Sequence, residues 1–485
     1  MPFTPSHYQQ AIFDFAERGE GNALVSAVAG AGKSTTLLQC AQRVQGGALF
    51  VAFNKHIADH LGRRLGGRNR AATLHKIGLE TLKQRIPKPA PVEAFKYGEI
   101  AKRIIEAYEP NPKLRFVAWP RVLRGAEFAR LTLAELTSDG LNKMADDYGL
   151  SLWESDHTII KLVLEEGERQ ALKESVIDFT DMLWLCERWE LYPYMWNWLL
   201  VDELQDLNAC QRALALKLSR GRIVGVGDLR QSIMAWAGAD IRSWEAFKTA
   251  TNAQELPLSI CYRCPSSHLD LAREIVPEIE ARPDAPCGIL EEASIGHALS
   301  NAAQDDLFLC RRTAPLIRGC LYLIARGIKA RVRGKEIGAK LAEAAKEIAL
   351  GCEWANFRDG VITWWRERHA ELEEHNASEK RKGELLDIAQ GLLAAHDGIG
   401  KECSSIDDLA KKIKAIFADE NAAVWFSSIH RAKGLEAHRV IVMEFDKLGE
   451  GFGFQSKTER EQEMNLKYVA LTRSMHTLIL CLKED

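Results

Sequence analysis

Ala27-Val28-Ala29-Gly30-Ala31-Gly32-Lys33-Ser34 follows the apolar run Ala23 to Val28 and leads into a helical pattern from Gly32. That order, buried strand then glycine-rich turn then helix, decides the fold. Small residues let the backbone close tightly round a phosphate. The N–H groups of Gly30, Gly32 and Lys33 then point inward at a helix N-terminus, where the dipole favours an anion. Lys33 offers a positive charge to outer phosphates, and the Ser34 hydroxyl offers a ligand for Mg²⁺. Ala29, Ala31 and Thr35 complete the expected phosphate cradle.

A phosphate site of this kind needs a carboxylate for the metal and a base for water. Leu199-Leu200-Val201-Asp202-Glu203-Leu204-Gln205-Asp206 offers both. The apolar run ends at Asp202, placed to hold Mg²⁺ through water. Glu203 is placed to orient and deprotonate the attacking water. Such chemistry is mostly positioning and charge neutralisation, so these parts must sit together.

Outward from these two segments, apolar runs alternate with helical patterns, the mark of a parallel α/β sheet. Ala48 to Phe53 and Ile223 to Val226 are further strands. Residues 1–86 and 175–255 read as one α/β core, interrupted by a charged helical insertion at 87–174. Residues 256–337 and 420–485 read as a second core, with strands predicted at Leu307–Cys310, Ala330–Val332, Val424–Ser427, Val440–Met443 and Thr477–Cys481. A smaller helical insertion is predicted at 338–419.

Composition bounds the rest. A chain of 485 residues allows about three or four domains. With 46% hydrophobic and 27% charged residues it is neither collagen, nor disordered, nor a coiled-coil rod. No apolar run approaches the ~20 residues that cross a bilayer, and no secretory signal is visible, so a cytoplasmic protein without membrane partners is expected. The eleven cysteines are odd in number and scattered, which argues against a disulfide framework. The one C-x-x-C, Cys261 and Cys264, has no second pair and no histidine at finger spacing, so neither a zinc nor a redox site is expected. Net charge is −3, which excludes a histone-like binder. Residues 54–88 nevertheless hold nine Lys/Arg against Asp59 and Glu80, a local net of +7 suited to backbone phosphates.

The two segments and the basic stretch together resemble a superfamily 1 helicase of the UvrD/Rep/PcrA group. DELQD resembles that group's DEAQD box, and further segments match in order along nearly the whole chain. The resemblance implies two RecA-like P-loop α/β domains, each with a helical insertion. It implies ATP and Mg²⁺ as cofactors and single-stranded DNA, with its junctions to duplex, as partner. FTPSHYQQAI is similar to the Q motif, whose glutamine reads the adenine edge; Gln9 and Gln10 both suit that role. Phe53-Asn54-Lys55 and Thr73-Leu74-His75 resemble segments that grip single-stranded DNA. Gly227 to Ala239 resembles motif III, which makes Gln231 a γ-phosphate sensor and Trp236 a stacking platform for a base. Ala237 stands where many relatives carry arginine. Leu258 to Arg263 resembles motif IV, with Tyr262 on adenine and Arg263 on the γ-phosphate. Ser427 to Glu436 resembles motif V, with His430 toward DNA and Glu436 toward ribose. Tyr468 to Arg473 resembles the last motif, with Arg473 an arginine finger.

By this resemblance the activity is ATP-driven 3′-to-5′ movement on single-stranded DNA, coupled to unwinding, by a monomer. A translocase without strong unwinding, and a DNA-stimulated ATPase subunit beside a nuclease or repair factor, are the alternatives. No hairpin fits comfortably in the twelve residues after Arg473. A strand-separating wedge is therefore expected in the first insertion, where Lys113, Arg115, Phe116, Trp119 and Arg121 cluster.

Overall fold

The computed structural model describes residues 4–52, 55–88, 92–233, 242–374, 379–417, 422–449 and 457–482. The chain divides into two compact units, Met1–Ser259 and Ile260–Asp485. In the first, β1 (Ala23–Ala27), β2 (Ala48–Val51), β3 (Arg70–Ala72), β4 (Trp196–Val201), β5 (Ser219–Gly227) and β6 (Gln254–Leu258) form one sheet. All its pairs are parallel, in the order β3-β2-β4-β5-β1-β6. Leu24, Phe50, Leu200 and Val224 are fully buried on the inner strands. Each contributes about 1.5–3 kcal/mol relative to an exposed side chain. The α/β fold expected from the phosphate-loop pattern is the fold found.

The first core was expected to end at residue 255, but β6 reaches Leu258 and pairs with β1. Its sequence, QELPL, is polar and holds Pro257, which an edge strand tolerates. Between β3 and β4 run helices at Leu74–Leu82, Lys96–Tyr108, Pro112–Thr132, Ser138–Tyr148, Glu154–Glu174 and Asp181–Arg188. A buried ionic network joins the helices Lys96–Tyr108, Pro112–Thr132 and Asp181–Arg188. Asp181 accepts from Lys96 Nζ at 2.6 Å, Tyr97 OH at 2.8 Å and Arg130 at 3.1 Å. Arg130 also holds Asp178 at 2.8 Å. Such a cluster survives burial only because each charge meets a partner.

The second unit opens with the two-residue pair β7 (Ile260–Cys261) and β8 (Glu280–Ala281). Its main sheet holds β9 (Ile289–Ala293), β10 (Leu307–Cys310), β11 (Ala330–Val332), β12 (Val424–Ser428), β13 (Ala437–Val442) and β14 (Ser474–Cys481). The order is β11-β12-β10-β13-β14-β9, again all parallel. Between β11 and β12 lie helices at Lys335–Ala349, Phe357–Glu374, Glu379–Ile399 and Ile406–Ile416. Leu341, Ala345, Leu392 and Leu409 bury their inner faces. Asp387 fastens this bundle to the helix Thr313–Ala325 by accepting the N–H of Thr313, at 2.9 Å, on that helix's first turn.

One connection is unusually short. Parallel strands are normally joined by a dozen or more residues. Only Ile429 to Glu436 separate β12 from β13, and β10 lies between those strands. Ser428 is level with Cys310 at the C-terminal end of β10, while Val440 is level with Leu307 at its start. The loop therefore runs from one end of the sheet to the other.

Candidate nucleotide and nucleic-acid site

In the first unit the expected site segments other than the glutamine-bearing first helix follow the C-terminal end of a strand, so a parallel sheet brings them to one edge. After β1, Gly30 and Gly32 adopt left-handed φ of 68° and 79°, which a side chain disfavours. Val28 N–H donates to Leu258 O at 3.1 Å and anchors the loop to β6. The helix Lys33–Arg43 starts at Gly32 with no side-chain cap, leaving its first N–H groups to face the loop's interior.

After β4, Ser34 Oγ donates to Asp202 Oδ2 at 2.6 Å, and Lys33 Nζ lies 3.7 Å from Glu203 Oε1. Glu203 takes a left-handed φ of 52°, a conformation that costs a non-glycine residue about 1–3 kcal/mol. Burial, and then the neighbouring Glu203 charge, push Asp202 up to about 6, against the hydrogen bond from Ser34 and the charge of Lys33. A paired hydroxyl and carboxylate are hard oxygen donors, the set Mg²⁺ prefers.

The two glutamines separate. Gln9 is buried, caps its own helix with Ser6, and donates to Thr36 Oγ1 at 3.3 Å on the phosphate-loop helix. Gln10 is exposed and bonds Asp14. One step along a helix turns a side chain by about 100°, which is why only one of them reaches the loop.

A hydrogen-bonded chain not foreseen from sequence links the carboxylates to the end of β5. Gln205 donates to Glu203 Oε2 at 2.6 Å and accepts the Asp228 N–H at 3.0 Å. Asp228 in turn accepts from Gln231 Nε2 at 2.6 Å. Gly227 makes this possible, because a Cβ there would stand 2.4 Å from Gln205 Oε1. Glutamine and aspartate three residues from known motif positions carry the signal, but nothing local says they meet.

The nucleic-acid candidates lie on the same edge. Lys55 is exposed at the start of the helix Lys55–Arg64, after β2. Thr73 caps the helix Leu74–Leu82 through Lys76 N–H at 3.3 Å, after β3. His75 is half-buried, and burial lowers its pKa, favouring the neutral ring. Arg70 is already held by Glu80 at 2.6 and 2.7 Å, so part of the +7 excess is spent internally. Phe53, Asn54 and Trp236 lie outside the described residues.

Of the residues expected to form a wedge, Arg115, Trp119 and Arg121 can be placed, while the side chains of Lys113 and Phe116 lie outside the described residues. Arg121 is buried, bonded to Asp156 at 2.9 and 3.2 Å and stacked 3.4 Å over Trp153. Arg115 folds back onto the carbonyls of Glu109 and Pro110. Trp119 is 40% exposed, with its N–H on Gly98 O. The helix Pro112–Thr132 thus turns Arg121, like Arg130, inward to meet a partner carboxylate.

In the second unit Tyr262, Arg263, Glu436 and Arg473 gather. Tyr262 is 36% exposed after β7. Its neighbour Arg263 donates to Glu436 Oε2 at 2.6 Å and to Thr472 O at 3.2 Å. Arg473 donates to Val469 O at 2.9 Å and Leu435 O at 3.2 Å. The arginine expected to act as a finger is therefore bonded to backbone carbonyls of its own unit. Cys264 N–H donates to Cys261 Sγ at 3.4 Å, and no group of metal-ligating side chains occurs among the described residues. His430 sits in the turn after β12.

The chain belongs to the UvrD/Rep helicase family. The sequence model of the UvrD/REP helicase N-terminal domain matches residues 8–252, and that of the UvrD-like helicase C-terminal domain matches residues 335–485. It is similar to the ATP-dependent DNA helicase PcrA of Bacillus subtilis, 30% identical over 129 residues, 24% of this chain and 18% of that one. PcrA of Staphylococcus epidermidis is 27% identical over 168 residues, 32% of this chain and 22% of its own. The F-box DNA helicase protein 1 of Schizosaccharomyces pombe is 22% identical over 508 positions, 94% of this chain and 55% of its own. The match thus spans about a fifth of the PcrA proteins and about half of the fission-yeast protein. No helix among the described residues is long and apolar enough to cross a membrane.

Proposed function

We propose that this chain is an ATP-driven motor that tracks single-stranded DNA 3′ to 5′ and opens duplex at its junctions. Segments 87–174 and 338–419 are insertions into its two cores. One observation carries the reading: a glycine loop, Ser34 on Asp202 at 2.6 Å, and Lys33 at 3.7 Å from Glu203, all at one sheet edge. Ser34 and Asp202 would hold Mg²⁺, which when bound neutralises charge on the outer phosphates. The loop N–H groups bind phosphate oxygens, and Lys33 adds a fixed cation. Glu203, held by Gln205, orients water and accepts its proton. Gln231, held to Asp228, senses the outer phosphate from the end of β5. Gln9 reads the base. Tyr262, Arg263, Glu436 and Arg473 are the nucleotide-handling residues of the second unit. Lys55, Thr73, His75 and His430, with Phe53, Asn54 and Trp236, contact the strand.

The test is ATPase rate with and without single-stranded DNA or RNA, beside strand displacement on 3′- and 5′-tailed duplexes. The expected result is stimulation by DNA and displacement from the 3′ tail. Lys33→Ala should lower turnover by ~10²-fold or more. Stimulation without displacement would make the chain a translocase or an ATPase subunit. Turnover indifferent to nucleic acid would overturn the motor reading.

A further inference from the structure

The two loops at the C-terminal edge of β11 and β12 carry a concentration of cations. Because these strands pair in parallel, with Val332 level with Phe426, the segments after them emerge side by side. Arg333-Gly334-Lys335 follows β11, and His430-Arg431-Ala432-Lys433 follows β12. Arg333 N–H is fixed to Phe426 O at 2.8 Å, and its guanidinium lies 4.2 Å over the Trp425 ring. Arg431, by contrast, is exposed, and it forms an ion pair with Glu336, on the first turn of the insertion helix Lys335–Ala349. The side chains are 36% and 53% exposed. Gly334 makes room for the pair: its φ is 122°, and a Cβ on it would stand 3.0 Å from Arg431 Nε. A side chain at that position would press on the arginine.

We propose that Arg431 is a binding site for a backbone phosphate of single-stranded nucleic acid, and that Glu336 is the internal anion that fills it when no strand is bound. The proposal rests on the nucleic-acid reading above, which places a strand at the neighbouring His430. A guanidinium offers the same forked donors to a carboxylate or a phosphate, so the two compete for one set of N–H groups. The exposed pair is weak enough to be exchanged, since such pairs contribute only a few tenths to one unit of kcal/mol. Arg333, Lys335 and Lys433 add positive charge on the same edge, which favours the polyanion over the single carboxylate. Glu336 thereby couples strand binding to the small insertion: a phosphate on Arg431 releases the start of the helix Lys335–Ala349.

The experiment measures binding of a fluorescently labelled oligothymidylate to the full chain by anisotropy across a salt series. Native protein, Glu336→Gln, Arg431→Gln and the double variant are compared. Glu336→Gln should tighten binding about two- to fivefold, the worth of one exposed ion pair. Arg431→Gln should weaken it and lower the slope of log affinity against log salt by ~0.7, one phosphate contact on a single strand. In the double variant the gain from Glu336→Gln should vanish. If native protein binds while Glu336→Gln has no effect, or the gain persists without Arg431, the latch is wrong and the motor reading stands. If native protein binds no single strand, the motor reading falls and the latch with it. Thermal unfolding within about 2 °C of native confirms that each variant is folded.

Discussion

Replacing Gln205 with methionine keeps the side chain's length and removes its polar atoms. Three hydrogen bonds go: to Glu203 Oε2 at 2.6 Å, to Asp206 Oδ2 at 3.3 Å, and from the Asp228 N–H at 3.0 Å. The first joins a charged partner and contributes about 1.5–3 kcal/mol. If that energy holds the base in place for water, kcat should fall roughly 10- to 150-fold, at about 1.4 kcal/mol per tenfold. The KM for ATP should change little, because the phosphate loop and Lys33 are untouched. A stability cost accompanies the kinetic one. Gln205 is 2% exposed, so the Asp228 N–H is left buried and unpaired, at about 1–3 kcal/mol. In a unit of this size each kcal/mol lowers Tm by roughly 2–4 °C. Steady-state ATPase assays and thermal unfolding read the two effects separately. A native kcat in a folded Gln205→Met protein would refute the claim that this residue positions Glu203.

Glu203→Gln should bind ATP yet turn it over at least ~10²-fold more slowly, seen by filter binding beside ATPase assays; failure to bind would make Glu203 a structural group. Asp181→Asn strips the shared carboxylate from Lys96, Tyr97 and Arg130. Breaking a buried pair costs about 3–5 kcal/mol, so the unfolding midpoint should drop by roughly 6–20 °C. For Glu444, burial raises the carboxyl, but hydrogen bonds and charge from Arg312 and Lys447 outweigh it and leave it below the usual 4.5. A depressed carboxylate stabilises above its unfolded pKa and loses that contribution as pH falls. Unfolding midpoints of the native chain should therefore fall faster between about pH 5 and pH 3 than those of Glu444→Gln.

The site was legible in sequence where it is local. A phosphate loop is one strand, one turn and one helix, and Asp202-Glu203 ends one apolar run. Inner strands were equally plain, because a sheet buried on both faces demands unbroken apolar runs. The strands of the two main sheets that escaped are at edges: β3 is three residues of a basic stretch, β6 is the polar QELPL, and β9 reads ILEEA with two exposed glutamates. Gln9 and Gln10 could not be separated until Thr36 stood opposite one of them. Arg263 and Glu436 are 173 residues apart, and no spacing rule announces that they pair. Arg121 looked like a surface cation because Asp156, its partner, lies on another helix.

The eight-residue connection from β12 to β13 has a mechanical meaning. From the level of Ser428 to that of Ala437 is about 20 Å along the strands, at ~3.3 Å per residue. The nine steps from Ser428 to Ala437 reach at most ~32 Å when fully extended, and part of this stretch is coiled into turns by Ala432 N–H on Ser428 O at 3.0 Å. The turns take up the difference. His430 and Arg431 ride at one end of this strut, and Glu436, clasping Arg263, rides at the other. A helix-long crossover would absorb a small displacement in its own bending. This one behaves as a tie rod. In the proposed motor, a displacement at the strand-side end has only eight residues in which to be absorbed before it reaches the glutamate at the other end.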